Sequence, residues 1–165
     1  MRILDPTASV RSIWFEKDRP EVIYGDLRVE KIIMEYPATK ERKYERKRIF
    51  EILPDVQMDY TSMPFPDGTF DMVVWDPPHL YKIGTSSILA ARYGKLPGFD
   101  TWKDNIRGGF DECWRVLKIN GTLIFKWAVR DISLKEVLDL APPPLFGHKT
   151  GSNSQTRWIT FVKFE

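Results

Sequence analysis

The apolar run over residues 70–75 stops abruptly at Asp76-Pro77-Pro78-His79, and few other arrangements restrict a fold so tightly. Such a run ending in two prolines reads as a buried strand driven into a rigid turn. Each proline fixes φ and removes a backbone donor, so the carbonyls of Asp76 and Pro77 are left free to accept. A carboxylate beside free carbonyls at the carboxyl end of a strand is an acceptor-only pocket. It suits the hydrogens of an amino group.

The rest of the chain alternates strand and helix signals, which points to a largely parallel α/β sheet. Strands are expected over 2–5, 22–26, 56–59, 70–75, 122–127 and 158–164. The last follows a polar loop over 150–156 and reads as a final antiparallel strand. Trp102, Ile106, Phe110, Cys113, Trp114 and Leu117 recur at helical spacing, so 102–117 is expected to be a helix with that stripe in the core. Asp100 or Thr101 is placed to cap it, and Ile119-Asn120-Gly121 to end it. A shorter helix is expected over 133–140, capped by Ser133 and stopped by Pro142-Pro143-Pro144. Residues 9–17 are a third helix candidate.

The 165 residues suffice for one domain with one core. The net charge of +2 gives only a weak overall field. No apolar run is long enough to cross a bilayer, and Met1-Arg2-Ile3-Leu4-Asp5 reads as a strand and not as a signal peptide. A soluble cytoplasmic protein without a membrane partner is the expectation. Cys113 is the sole cysteine, which excludes an intrachain disulfide, and with His79 and His148 it makes no metal-ligand pattern.

With its lead-in Pro64-Phe65-Pro66-Asp67-Gly68-Thr69-Phe70-Asp71, the Asp76-Pro77-Pro78-His79 segment resembles motif IV, (Asp/Asn/Ser)-Pro-Pro-(aromatic), of the S-adenosylmethionine-dependent amino-methyltransferases. Arg115-Val116-Leu117-Lys118-Ile119-Asn120-Gly121-Thr122-Leu123 is similar to a second signature of that class, with Ile119-Asn120 where Pro-Gly is usual. The likeness spans nearly the whole chain. In detail it looks most like the small phage- and prophage-encoded enzymes with Asp-Pro-Pro-His. It implies a Rossmann-like class I methyltransferase fold: a mostly parallel central sheet with a final antiparallel strand. One domain over 1–165 is then expected, with a basic insertion near 39–48 and a long active-site loop near 80–100.

The resemblance also implies site residues. Asp5-Pro6-Thr7-Ala8-Ser9 is similar to the first cofactor turn, Asp-Pro-x-x-Gly-x-Gly, without its glycines. Asp26, at the end of the second strand, matches the acidic residue that accepts from the ribose hydroxyls. Asp59 and Tyr60 match the pair that binds and covers adenine. Asp5, Pro6, Thr7, Ala8, Ser9, Asp26, Asp59 and Tyr60 are therefore the expected contacts of S-adenosyl-L-methionine. Asp76, Pro77, Pro78 and His79 are the expected catalytic group. His79 departs from the usual aromatic residue. An imidazole offers a smaller stacking face and can carry charge near neutral pH.

For the substrate, Tyr81, Lys82, Arg92 and Tyr93 lie in the long loop, and Arg42, Lys43 and Arg46 in the basic run. That run reads equally as a phosphate-tracking segment or as a solvated helix face laced with ion pairs. The resemblance implies methyl transfer to an exocyclic amino nitrogen of nucleic acid, with DNA adenine N6 favoured over RNA. The alternatives are RNA, a protein amide or a small molecule as substrate, or a non-catalytic module binding cofactor or nucleic acid. No separate target-recognition domain is expected, which leaves room for a homo-oligomer or a specificity partner. No metal is expected.

Overall fold

The computed structural model of the chain describes residues 1–40, 43–84, 87–148 and 155–165. Within it, apolar runs too short for helices pair side by side. β1 (Ile3–Asp5) lies between β2 (Val22–Asp26) and β6 (Phe70–Trp75), parallel to both. β5 (Val56–Gln57) extends the sheet beyond β2, and β7 (Leu117–Ala128) extends it beyond β6, again in parallel. β9 (Thr156–Val162) runs antiparallel to β7, and β8 (Phe146–Gly147) closes the edge against β9. The order of this seven-stranded sheet is β5-β2-β1-β6-β7-β9-β8. It is a Rossmann-like sheet whose final strand is antiparallel, as the resemblance implies. Its order reverses at β1, so the carboxyl ends of β1, β2 and β6 form the crevice where such sheets bind ligands.

The helix α2 (Trp102–Val116) buries Trp102, Ile106, Phe110, Cys113 and Val116, the face that the apolar stripe marks out. Phe110 meets the Trp75 ring edge-on at 4.9 Å and Phe125 at 4.9 Å. Gly109 permits that approach, because a Cβ there would stand 2.3 Å from the Trp75 ring. Past the helix, Asn120 takes a left-handed φ of 65°, and the β6–β7 register shifts between Phe70 and Met72. Lys163 closes the helix end by donating to the carbonyls of Trp114 and Leu117. Ser133 caps α3 (Leu134–Leu138) through a capping box with Glu136. No helix among the described residues is long and apolar enough to cross a membrane.

Several elements differ from expectation: Thr101 makes no side-chain cap on α2, β5 stops at Gln57, and Leu117 already belongs to β7. Residues 9–17 form a string of turns, not a helix, because Ser9 and Arg11 take positive φ. The basic run is not a helix face. It leads into β4 (Arg46–Ile52), which among the described residues pairs with β3 (Glu30–Tyr36) in a separate two-stranded hairpin. Cross-strand pairs such as Lys31–Glu51 and Lys47–Glu35 disguise these strands as a charge run. Within the long loop, Ser87 caps a short helix, α1 (Ile88–Tyr93), which ends at Gly94 with φ 77°. Arg42 and most of the loop before β9 lie outside the described residues.

Gly109→Ala should force the Trp75 ring and α2 apart. The expected loss is about 1–3 kcal/mol of stability, the usual scale for overpacking a core, read as a lower denaturant midpoint.

Candidate functional site

Each strand of the crevice ends in a carboxyl that the next loop must accommodate. Asp5 is buried, accepting from the Trp14 indole at 2.7 Å and the Thr7 amide at 3.1 Å. Burial pushes its pKa up to about 7 against those hydrogen bonds, and neighbouring Asp76 and Asp26 push the same way. Asp26 is also buried; one oxygen accepts from the Ser9 amide at 2.9 Å, the other from the amide and guanidinium of Arg28. Arg28 then reaches over to the Ala91 carbonyl at 3.0 Å and the Arg92 carbonyl at 3.3 Å, tying β2 to the end of α1.

Read along Asp-Pro-x-x-Gly-x-Gly, the two glycine positions are Ser9 and Arg11. They take φ of 49° and 53°, so the turn keeps a glycine-like backbone without glycine. A left-handed residue with a Cβ costs roughly 1–2 kcal/mol. At Arg11 the side chain offsets this. Its guanidinium donates to the Lys17 and Leu53 carbonyls and to Asp18 and Asp55, and lies 3.9 Å from the centre of the Tyr24 ring.

A cavity of about 420 Å³ opens over this edge. Pro6, Thr7, Asp26, Asp59 and Tyr60 line it, together with Pro78 and Tyr93. Asp5, Ala8 and Ser9, expected as cofactor contacts, are buried and do not line it; Ser9 borders a different groove. Asp59 is exposed and holds Thr61, while the Tyr60 hydroxyl donates to Asn105 of α2. Burial pushes the Tyr60 phenol upward, so it stays a neutral donor.

At the Asp-Pro-Pro turn, Asp76 is buried and forms an ion pair with Lys126 of β7. The pairing follows from register, because Trp75 is opposite Phe125 and the next residues meet. Burial raises the Asp76 carboxyl above its ordinary range, and the Lys126 ammonium opposes that rise. Asp76 is further held by its amide, which donates to Thr7 Oγ1 at 3.2 Å. His79 is buried between Tyr93 and Trp127, with ring centres 6.0 and 6.1 Å away, and its Nδ1 has no partner among the described residues. Burial first, and then the charge of Lys126, lowers its pKa to about 4, so it is neutral at pH 7 and not a charged face. Tyr93 holds the more open aromatic face, 5.3 Å from Lys126 Nζ.

The substrate candidates separate into four places. Tyr93 faces the crevice, and Arg92 edges a second groove beside Ser9, Arg11 and β4. The amides of Tyr81 and Lys82 are bound to Asp131, and Lys82 lines a different depression. Lys43 and Arg46 are exposed at the start of the hairpin strand.

Sequence reasoning passed over Lys126, Asn105 and the bridging role of Arg28. One signal was present for Lys126: a lone charge in the run Leu123-Ile124-Phe125-Lys126-Trp127 must find a partner at the strand end. Asn105 carries no comparable signal.

No protein-family model matches the chain, and no curated protein matches it. The fold is similar to the crystal structure of PH0226 protein from Pyrococcus horikoshii OT3, with a TM-score of 0.54 and 13% identity over 98% of this chain and 81% of that one. At that identity the likeness concerns the fold alone, a Rossmann-like sheet.

Because His79 is held neutral, its contribution to stability is full above pH 6.5 and is lost as the pH falls toward about 4. Over that range the wild-type Tm should fall more steeply than that of His79→Phe. Parallel Tm curves would show that burial does not control His79.

Proposed function

We propose that this chain is an S-adenosylmethionine-dependent methyltransferase acting on an exocyclic amino nitrogen of nucleic acid, with DNA adenine N6 the favoured target. One observation carries the reading: a single cavity runs from Pro6 and Thr7 after β1, past Asp26 at the end of β2 and Asp59 beyond β5, to Pro78 of the Asp-Pro-Pro turn. Its volume suits a cofactor-sized ligand. Its lining also fits the group, with Asp26 and Asp59 as acceptors and Leu27, Tyr60, Leu96 and Pro97 as apolar cover. Asp26 would accept from the ribose hydroxyls, and Asp59 from the adenine amino group. When bound, the cofactor supplies an electrophilic methyl on a positively charged sulfur.

The chain's own task is to orient and activate the amino group. An exocyclic amino nitrogen is a poor nucleophile because its lone pair is delocalised into the ring. Asp76 would accept one of its hydrogens through the oxygen not taken by Lys126, and the Pro77 carbonyl would accept the other. Those two bonds turn the lone pair toward the crevice, where position does most of the work. The carboxylate then stabilises positive charge developing on nitrogen. Neutral, enclosed His79 supports the turn, and Tyr93 is the better placed ring for a planar base.

A neighbouring groove supports the nucleic-acid reading. A groove of about 860 Å³ is bordered by Arg11, Lys17 and Arg92 on one side and by β4 on the other, with Asp18 and Glu51 interspersed. Lys43 and Arg46 stand exposed at the hairpin end.

Incubating the protein with methyl-labelled cofactor and separate DNA, RNA and protein pools tests the function directly. Label is expected on DNA amino nitrogens, and label found only on protein or small molecules would replace this reading. Asp76→Ala should lower the rate by about a hundredfold or more while calorimetric cofactor affinity changes little. Asp26→Ala should weaken that affinity. If Asp76→Ala turns over like wild type, the turn does no chemistry.

Charge reversal at Lys43 and Arg46 to Glu should lower nucleic-acid affinity and flatten its dependence on salt. An unchanged slope would mean that the hairpin does not meet phosphate.

A further inference from the structure

The proposed amino pocket already contains a cation. Lys126 Nζ sits on one oxygen of Asp76, and its side chain is 16% exposed. The Tyr93 and Trp158 ring centres lie 5.3 and 5.8 Å from Nζ, on two different elements. An ammonium carries three N–H donors. Among the described residues one is used on Asp76, and the aromatic faces attract the charge without accepting like an oxygen or a ring nitrogen. The other oxygen of Asp76 accepts no hydrogen bond from the described residues. An unused acceptor and unused donors therefore stand side by side between two rings.

We propose that Asp76 and Lys126 work as one acceptor–donor couple, and that Lys126 selects a nucleobase whose amino group is flanked by a ring-nitrogen acceptor. This deepens the proposed function and rests on it. The matching edges are adenine, with N6 beside N1, and cytosine, with N4 beside N3. Asp76 takes the amino hydrogen, and Lys126 donates to the neighbouring ring nitrogen. Alkyl amines are rejected, since they are cations at neutral pH and meet Lys126 with Arg92 nearby. The couple also explains why a lysine stands in an apolar strand: its charge opposes the upward push that burial gives the Asp76 carboxyl. Lys126 is thus a specificity-determining residue. Its loss should remove discrimination, not merely affinity.

The test uses the full chain with the demethylated cofactor and short single-stranded thymine oligonucleotides. One oligonucleotide pair carries a single adenine or 1-deazaadenine, the other a single cytosine or 3-deazacytosine. Anisotropy reports binding. In at least one pair the natural base should bind about tenfold more tightly than its deaza partner, the scale of one hydrogen bond to a charged donor. Lys126→Met should bring that ratio close to one. Lys126→Arg, which keeps charged donors, should retain part of it, and thermal unfolding establishes that each variant is folded. A wild type that treats both partners of each pair alike overturns the inference, as does a folded Lys126→Met with the ratio intact. Should Lys126→Met not fold, the wild-type ratio and Lys126→Arg still decide it. Methyl transfer to nucleic acid without deaza discrimination overturns the couple alone, whereas neither transfer nor saturable binding overturns the function as well.

Discussion

Burying a carboxyl without a partner is costly, and this protein buries three along one sheet edge: Asp5, Asp26 and Asp76. Each recruits the chain that follows or faces it. Asp5 takes the Thr7 amide and the Trp14 indole, and so folds the first turn back onto β1. Asp26 takes the Ser9 amide and Arg28, which joins that turn to β2. Asp76 takes Lys126 across the sheet. The crevice is therefore shaped by compensation of charge as much as by apolar packing. The aromatic layer of Trp75, Phe110 and Phe125 below supplies a stiff floor on which those carboxyls are aimed.

Much of this was legible in the sequence, for identifiable reasons. β2 and β6 occupy the expected spans because short apolar runs ending in an acid or a proline allow little else. The stripe from Trp102 gave α2 its buried face, and Ser133 with Glu136 announced a cap. The hairpin was hidden because its strands alternate charge with apolar residues and include the basic run; pairing across strands, not periodicity within one, makes them strands. The turns over 9–17 were hidden because their positive φ depends on partners far along the chain, Asp26, Leu53 and Asp55. Lys126 was overlooked for a related reason: its meaning lies in the register of β7 against β6, which no local pattern records.

The first turn shows how a backbone habit outlasts the residue that usually permits it. Glycine makes left-handed φ inexpensive through the chain itself. Here the conformation is held from outside. Asp26 anchors the Ser9 amide, and the Arg11 guanidinium ties the turn to two carbonyls, two carboxylates and the Tyr24 face. What glycine achieves by permission, Arg11 achieves by cross-linking. The turn should consequently be stiffer than its glycine counterpart and depend more on the residues around Asp55.

Arg28 links two parts of the crevice that a ligand must pass between. Its guanidinium leaves from Asp26, on the sheet, and ends on the carbonyls of Ala91 and Arg92, at the end of the short helix that carries Tyr93. A molecule that draws Asp26 into new hydrogen bonds competes directly with this strap. Occupancy beside Asp26 and freedom of the Tyr93 ring then become a single thermodynamic variable. Under the proposed function an order of addition would follow from it: a ligand at the strand end would loosen the wall that carries Tyr93, so that one side of the crevice would act as the key and the other as the door.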